Sequence, residues 1–134
     1  MFQCYKVVYG YNLTKSIEHF IKLENQLGLP ATREELAKLC KPAAERFAQL
    51  EIVYDGEAAL TRCETDGPLT ITYAPKLQES QNADNYIVKK ATEITSTPAR
   101  IWIVTNDYGL RARLNQTCHA FISTDDFYNF ICSD

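Results

Sequence analysis

The stretch Ile101-Trp102-Ile103-Val104-Thr105-Asn106-Asp107 decides the fold. Its first four residues are all apolar, with no polar alternation. Such a run predicts a strand buried on both faces, as in a parallel sheet. Upstream, Ala83, Ile87, Ala91 and Ile94 share one face of a helix running from about Asn82. Downstream come a short helix carrying Leu110 and Leu114, a strand over Ala120 to Ile122, and a last helix with Phe127, Phe130 and Ile131 that Thr124 is expected to cap.

The N-terminal half repeats the alternation. Cys4 to Val8 reads as a strand, closed by Gly10, which allows a sharp exit. Ile17, Phe20, Ile21 and Leu27 follow at helical spacing, with Gly28 as a C-terminal stop. Thr32 and Glu35 have capping-box spacing after Pro30, and open a helix with Leu36, Leu39, Ala43 and Phe47 on one face. Pro42 should kink that helix or begin another. Glu51 to Tyr54, ended by Asp55-Gly56, and Leu69 to Tyr73 complete the strands. Strands alternating with helices predict a three-layer α/β sandwich, a mainly parallel sheet of about five strands with helices on both faces. The length of 134 residues fits a single domain over 1–134.

Composition narrows the function. Apolar residues make up 46% and charged residues 23%, the balance of a soluble globular protein with a real core. The net charge of -3 argues against a basic coat that holds nucleic acid non-specifically. It leaves room for a nucleic-acid enzyme whose acidic site has a few local cations. No apolar run approaches a membrane span and no signal peptide is recognisable. Five cysteines with no CxxC pair read as reduced thiols in a cytoplasmic compartment.

In a doubly wound sheet, ligands bind beyond the carboxyl ends of the strands, where strand order reverses. Asp55, Asp84 and Asp107 each follow a strand, so all three fall on one rim. Crowded carboxylate oxygens suit Mg²⁺ or Mn²⁺, which hold phosphates and generate a hydroxide nucleophile. Each also has a plain structural explanation. Asp55-Gly56 is a turn pair, Asp84 suits the first turn of a helix, and Asp107 can start one. Arg62 and Arg111 lie near these positions and could meet a phosphate backbone. His19 and His119 lack metal-ligand spacing, and no glycine-rich phosphate loop or nucleophile elbow is present.

The segments at the strand ends resemble a known family. Val8-Tyr9-Gly10-Tyr11-Asn12-Leu13 resembles the opening D-G-Y-N motif of NYN domains, a branch of the PIN-like nucleases, and most of all the YacP-like group. Ile52-Val53-Tyr54-Asp55-Gly56 is similar to that group's V-F-D-G. Ala83-Asp84-Asn85-Tyr86-Ile87 is similar to its A-D-x-x-I, and Val104-Thr105-Asn106-Asp107 to Leu110 resembles its V-T-S-D-x-x-L. Ile122-Ser123 to Phe127 resembles its closing I-S-x-x-x-F. The resemblance implies a five-stranded parallel sheet and Mg²⁺- or Mn²⁺-dependent endoribonuclease activity in translation-linked RNA decay, with RNA and the ribosome as partners. It implies Asp84 and Asp107 as the acidic metal and catalytic positions, Asp55 as a second-rank member, and Asn12 as the motif residue orienting the first-strand loop.

One position departs from the family. Tyr9 stands where the family has its first aspartate. A neutral phenol is a poor Mg²⁺ ligand and fills space. Three explanations stay open: the site is crippled, Asp55 or Glu57 substitutes, or the tyrosine is a change particular to this copy of the sequence. Tyr9 is then a substrate-binding candidate together with Asn12, Arg62 and Arg111, because its ring can stack on a nucleobase. Two functions compete: a metal-dependent endoribonuclease, and a catalytically impaired relative that binds RNA, the ribosome or a protein through the same cleft.

Overall fold

The computed structural model describes residues 4–46, 49–79, 81–95, 100–114 and 120–133. In chain order the elements are β1 (Cys4–Tyr9), α1 (Gly10–Thr14), α2 (Glu18–Leu27), α3 (Leu29–Arg46), β2 (Gln49–Asp55), β3 (Arg62–Asp66) and β4 (Leu69–Ala74). Then follow α4 (Asn82–Thr95), β5 (Arg100–Val104), α5 (Tyr108–Leu114), β6 (Ala120–Ile122) and α6 (Thr124–Cys132). The strands form one six-stranded sheet in the order β3-β4-β2-β1-β5-β6. All neighbours run parallel except the edge strand β3, which is antiparallel to β4. The chain winds outward from β1 through β2 to β4, then crosses back to β5 on the other side of β1. Strand order therefore reverses between β1 and β5, and the crevice beyond their carboxyl ends is the expected ligand position.

Both faces of the central sheet are covered, which is why Ile101 to Val104 of β5 and Ile52 to Tyr54 of β2 are apolar without alternation. Val8, Leu50, Ile52, Tyr54 and Val104 pack with Phe20, Leu36, Ala43 and Phe127 on one face. Val7, Val53, Ile101 and Ile103 pack with Ala83, Ile87, Ala91, Leu110 and Leu114 of α4 and α5 on the other. No helix among the described residues is long and apolar enough to cross a membrane.

Several local expectations are corrected. The sheet has a sixth strand, β3, whose five residues are all exposed and which begins at Arg62. Gly67, with φ +62°, turns the chain between β3 and β4. Ile21 and Leu27 are exposed, so Phe20 and Ile17 carry the burial of the α2 region. The Thr32–Glu35 capping box is not formed. The helix α3 begins earlier, at Leu29, with Pro30 in its first turn, where a missing N–H costs nothing. Thr32 Oγ1 instead donates to the Gly28 carbonyl at 2.9 Å, and Glu35 pairs with His19 at 3.0 Å. Helix α3 runs on through Pro42 as one element of 18 residues. Ser123, not Thr124, caps α6, its side chain accepting from Asp126 N–H. Phe47, Cys118 and His119 lie outside the described residues.

Candidate functional site

At the end of β1 the backbone leaves Tyr9 in an extended conformation and enters α1 at once. Gly10 is required there by space, not by an unusual φ. A Cβ on it would lie 2.3 Å from the ring carbon Cε1 of the buried Tyr54. This close approach fixes where the Tyr9 side chain leaves the sheet.

The crevice floor is held by a polar lattice. The Asn12 Oδ1 accepts from Thr105 Oγ1 at 3.1 Å and from the Asn106 backbone N–H at 2.8 Å. Asn106 in turn donates through Nδ2 to Thr124 Oγ1 at 2.7 Å and accepts from Thr124 N–H at 3.0 Å. Arg111 gives Nε and Nη2 to the Thr105 carbonyl, at 3.1 and 2.6 Å. These bonds tie the loops after β1, β5 and β6 into one unit. Asn106 and Thr124 were not candidates from sequence. Thr124 is buried and Asn106 half-buried, and the fold alone brings them together.

The three aspartates line one open cleft of about 510 Å³, together with Tyr9, Glu57 and Lys76. Asp55 Oδ1 accepts the Ala83 N–H at 2.8 Å, so it caps the N-terminus of α4 from the end of β2. Asp107 Oδ1 accepts the Leu110 N–H at 3.0 Å and opens α5 in the same way. Asp84, in the first turn of α4, is only 5% exposed. The Tyr9 phenol lines the same cleft as its carboxylate, and Asp84 Oδ1 is buried without a hydrogen-bond partner. Burial pushes the Asp84 carboxyl above its ordinary range. The Tyr9 hydroxyl works against that shift, and the charges of Asp107 and Asp55 add to it. Burial also raises the Tyr9 phenol, reinforced by the neighbouring carboxylates of Asp84, Asp55 and Asp107. Tyr9 therefore stays a neutral donor.

A second hollow of about 370 Å³ joins this cleft through Tyr11, Asp55, Gly56 and Glu57. Arg33, Arg62 and Tyr73 line its far side. Of these, Arg33, Tyr11 and Tyr73 were not singled out from sequence as a group, because α3, α1 and β4 bring them together only in the fold.

The donor set can be tested against a magnesium ion. The orphaned Asp84 oxygen is what a cation would satisfy. Against that, the neutral Tyr9 phenol shares the cleft with that carboxylate, and one oxygen each of Asp55 and Asp107 is committed to a helix N–H. Among the described residues no three His, Cys, Asp or Glu converge as a group that could hold a metal ion. Mg²⁺ demands near-octahedral oxygen geometry. The side chains as folded do not fit it.

A family model described as the YacP-like NYN domain matches residues 7–133. The chain belongs to the YacP-like NYN family. Two crystal structures of Rae1 (YacP) from Bacillus subtilis have a similar fold, one of them a single-substitution mutant. The mutant superposes with a TM-score of 0.72 at 17% identity, covering 96% of this chain and 74% of that one. The other gives 0.71 at 16% identity, covering 95% and 72%. No curated protein matches the chain. This YacP-like domain thus belongs to a ribonuclease family, and Tyr9 lines its acidic cleft.

Proposed function

We propose that this YacP-like NYN domain binds single-stranded RNA along the cleft at the carboxyl ends of β1, β2 and β5, and does not cleave it in a metal-dependent way. One observation carries this reading: Tyr9, a neutral phenol that lines the same cleft as Asp55, Asp84 and Asp107, stands where a ligating carboxylate is expected. A tyrosine removes one negative charge from the rim and offers a ring on which a base can stack, worth about 1–3 kcal/mol. Less negative charge also lowers repulsion of the phosphate backbone. Asp55, Asp84 and Asp107 then position α4 and α5 and shape the cleft, with Asn12 holding its floor.

A second reading, a Mg²⁺- or Mn²⁺-dependent endoribonuclease, is favoured by the orphaned, buried Asp84 Oδ1. Calorimetric titration with MnCl₂ and fluorescence-anisotropy titration with single-stranded RNA separate the two. The proposal expects RNA binding that is the same with Mn²⁺ and with chelator, and no heat of specific cation binding. Stoichiometric Mn²⁺ binding would favour the second reading, and no RNA binding would overturn both.

A further inference from the structure

We infer that Arg33 and Arg62 together hold one backbone phosphate of the bound RNA strand, in the hollow next to the acidic cleft. This rests on the RNA-binding reading above and adds a specific subsite to it. The two arginines come from distant parts of the chain, α3 and β3, and meet over one ring. The Arg62 guanidinium lies 4.5 Å from the Tyr73 ring centroid, and that of Arg33 lies 5.9 Å from it. Tyr73 is itself backed by Tyr54, with centroids 5.6 Å apart, and Tyr54 by Tyr11, at 4.6 Å. This aromatic column is a rigid floor that fixes both cations at the same wall of the hollow.

Their donors are available for an anion. Arg33 Nη1 donates to the Tyr11 hydroxyl at 3.0 Å, a neutral partner that orients the fork without cancelling its charge. Among the described residues no carboxylate pairs with Arg33. Arg62 meets Glu64 at 3.3 Å, but both side chains are more than half exposed, and such a pair is weak and readily exchanged. Planar guanidinium forks match phosphate oxygens, and two of them suit a phosphodiester better than a point charge would. Asp55 and Glu57 line the passage between the two hollows. They repel phosphate there, which sets the phosphate on the Tyr73 side and leaves the adjoining nucleoside to reach the Tyr9 cleft.

The test is fluorescence anisotropy with a labelled single-stranded RNA oligonucleotide of mixed sequence, over a KCl series. The proteins are the unmodified chain, Arg33→Gln, Arg62→Gln, the double Gln variant and the double Lys variant. Each Gln substitution should weaken binding about tenfold, the loss of a charge-assisted contact. The double Gln variant should flatten the salt slope by about 0.7, the value for one phosphate on a single strand. The double Lys variant should keep that slope. Near-UV circular dichroism verifies that each variant keeps its tertiary packing. Weaker binding with an unchanged slope would assign Arg33 a purely structural role through Tyr11 and overturn the subsite. Unchanged Kd and slope in the double Gln variant would overturn it too, while leaving RNA binding by the chain intact. Absence of RNA binding by the unmodified chain would overturn both.

Discussion

Replacing Tyr9 by Phe removes one hydroxyl and leaves the ring. That hydroxyl favours the charged form of Asp84, a carboxylate 5% exposed whose Oδ1 lacks a partner. Leaving a buried charged group short of a donor costs about 1–3 kcal/mol. The pH dependence gives the sharper signature. Asp84 binds its proton more tightly in the folded than in the unfolded chain, first because of burial. Its contribution to stability is therefore fully present below the ordinary carboxylate value and is lost as pH rises through the raised folded value. The Tyr9 hydroxyl opposes the shift, so Tyr9→Phe raises the folded value further and widens the window of loss upward. Urea unfolding from pH 7 down to about 4 should show the variant destabilised at neutral pH and converging on the unmodified chain in acid, as Asp84 becomes protonated. Asp84→Asn removes the buried charge but keeps an acceptor for Tyr9. It should be at least as stable as the unmodified chain at pH 7. A Tyr9→Phe penalty independent of pH, or none at pH 7, would refute the reasoning.

Two further predictions address the scaffold. Glu51 is 1% exposed and accepts from Tyr5 Oη at 3.1 Å, Tyr86 Oη at 2.9 Å and Thr72 Oγ1 at 2.6 Å, with Lys90 Nζ 4.0 Å away. Glu51→Gln turns an amide toward these donors and should cost about 3 kcal/mol in urea unfolding. Gly10→Ala drives a methyl into Tyr54 and should lower stability by about 1–3 kcal/mol, with a smaller cost in a Tyr54→Leu background, read by thermal unfolding.

The core strands were legible because burial on both faces leaves short apolar runs, as in Ile101 to Val104 and Ile52 to Tyr54. Ala83, Ile87 and Ala91 on α4, and Leu110 and Leu114 on α5, were legible because a helix against a sheet buries one stripe. Strand β3 was not, because Arg62-Cys63-Glu64-Thr65-Asp66 is an exposed edge held by backbone pairing with β4, and no hydrophobic period marks it. Its one signal was the Gly67-Pro68 turn. The Glu51 network was equally hidden. A lone charge at a strand start says nothing of Tyr5, Thr72 and Tyr86, which come from β1, β4 and α4. At the site, strand-end position was enough to bring Asp55, Asp84 and Asp107 to one cleft. It could not tell that Asp55 and Asp107 would spend an oxygen on a helix N–H. Nor could it find the Arg33–Tyr73–Arg62 wall, which depends on helix α3 passing over the end of β4.

The central claim is that Tyr9 keeps this family member from metal-dependent cleavage. The most direct measurement is time-resolved cleavage of labelled single-stranded RNA in Mn²⁺, run on the unmodified chain and on Tyr9→Asp, with a chelator control. A carboxylate restored at this position helps hold a cation and lowers the pKa of its bound water. The account predicts no chelator-sensitive cleavage by the unmodified chain, and cleavage together with Mn²⁺ binding by Tyr9→Asp. Robust chelator-sensitive cleavage by the unmodified chain, or a folded Tyr9→Asp protein that neither binds Mn²⁺ nor cuts, would contradict it.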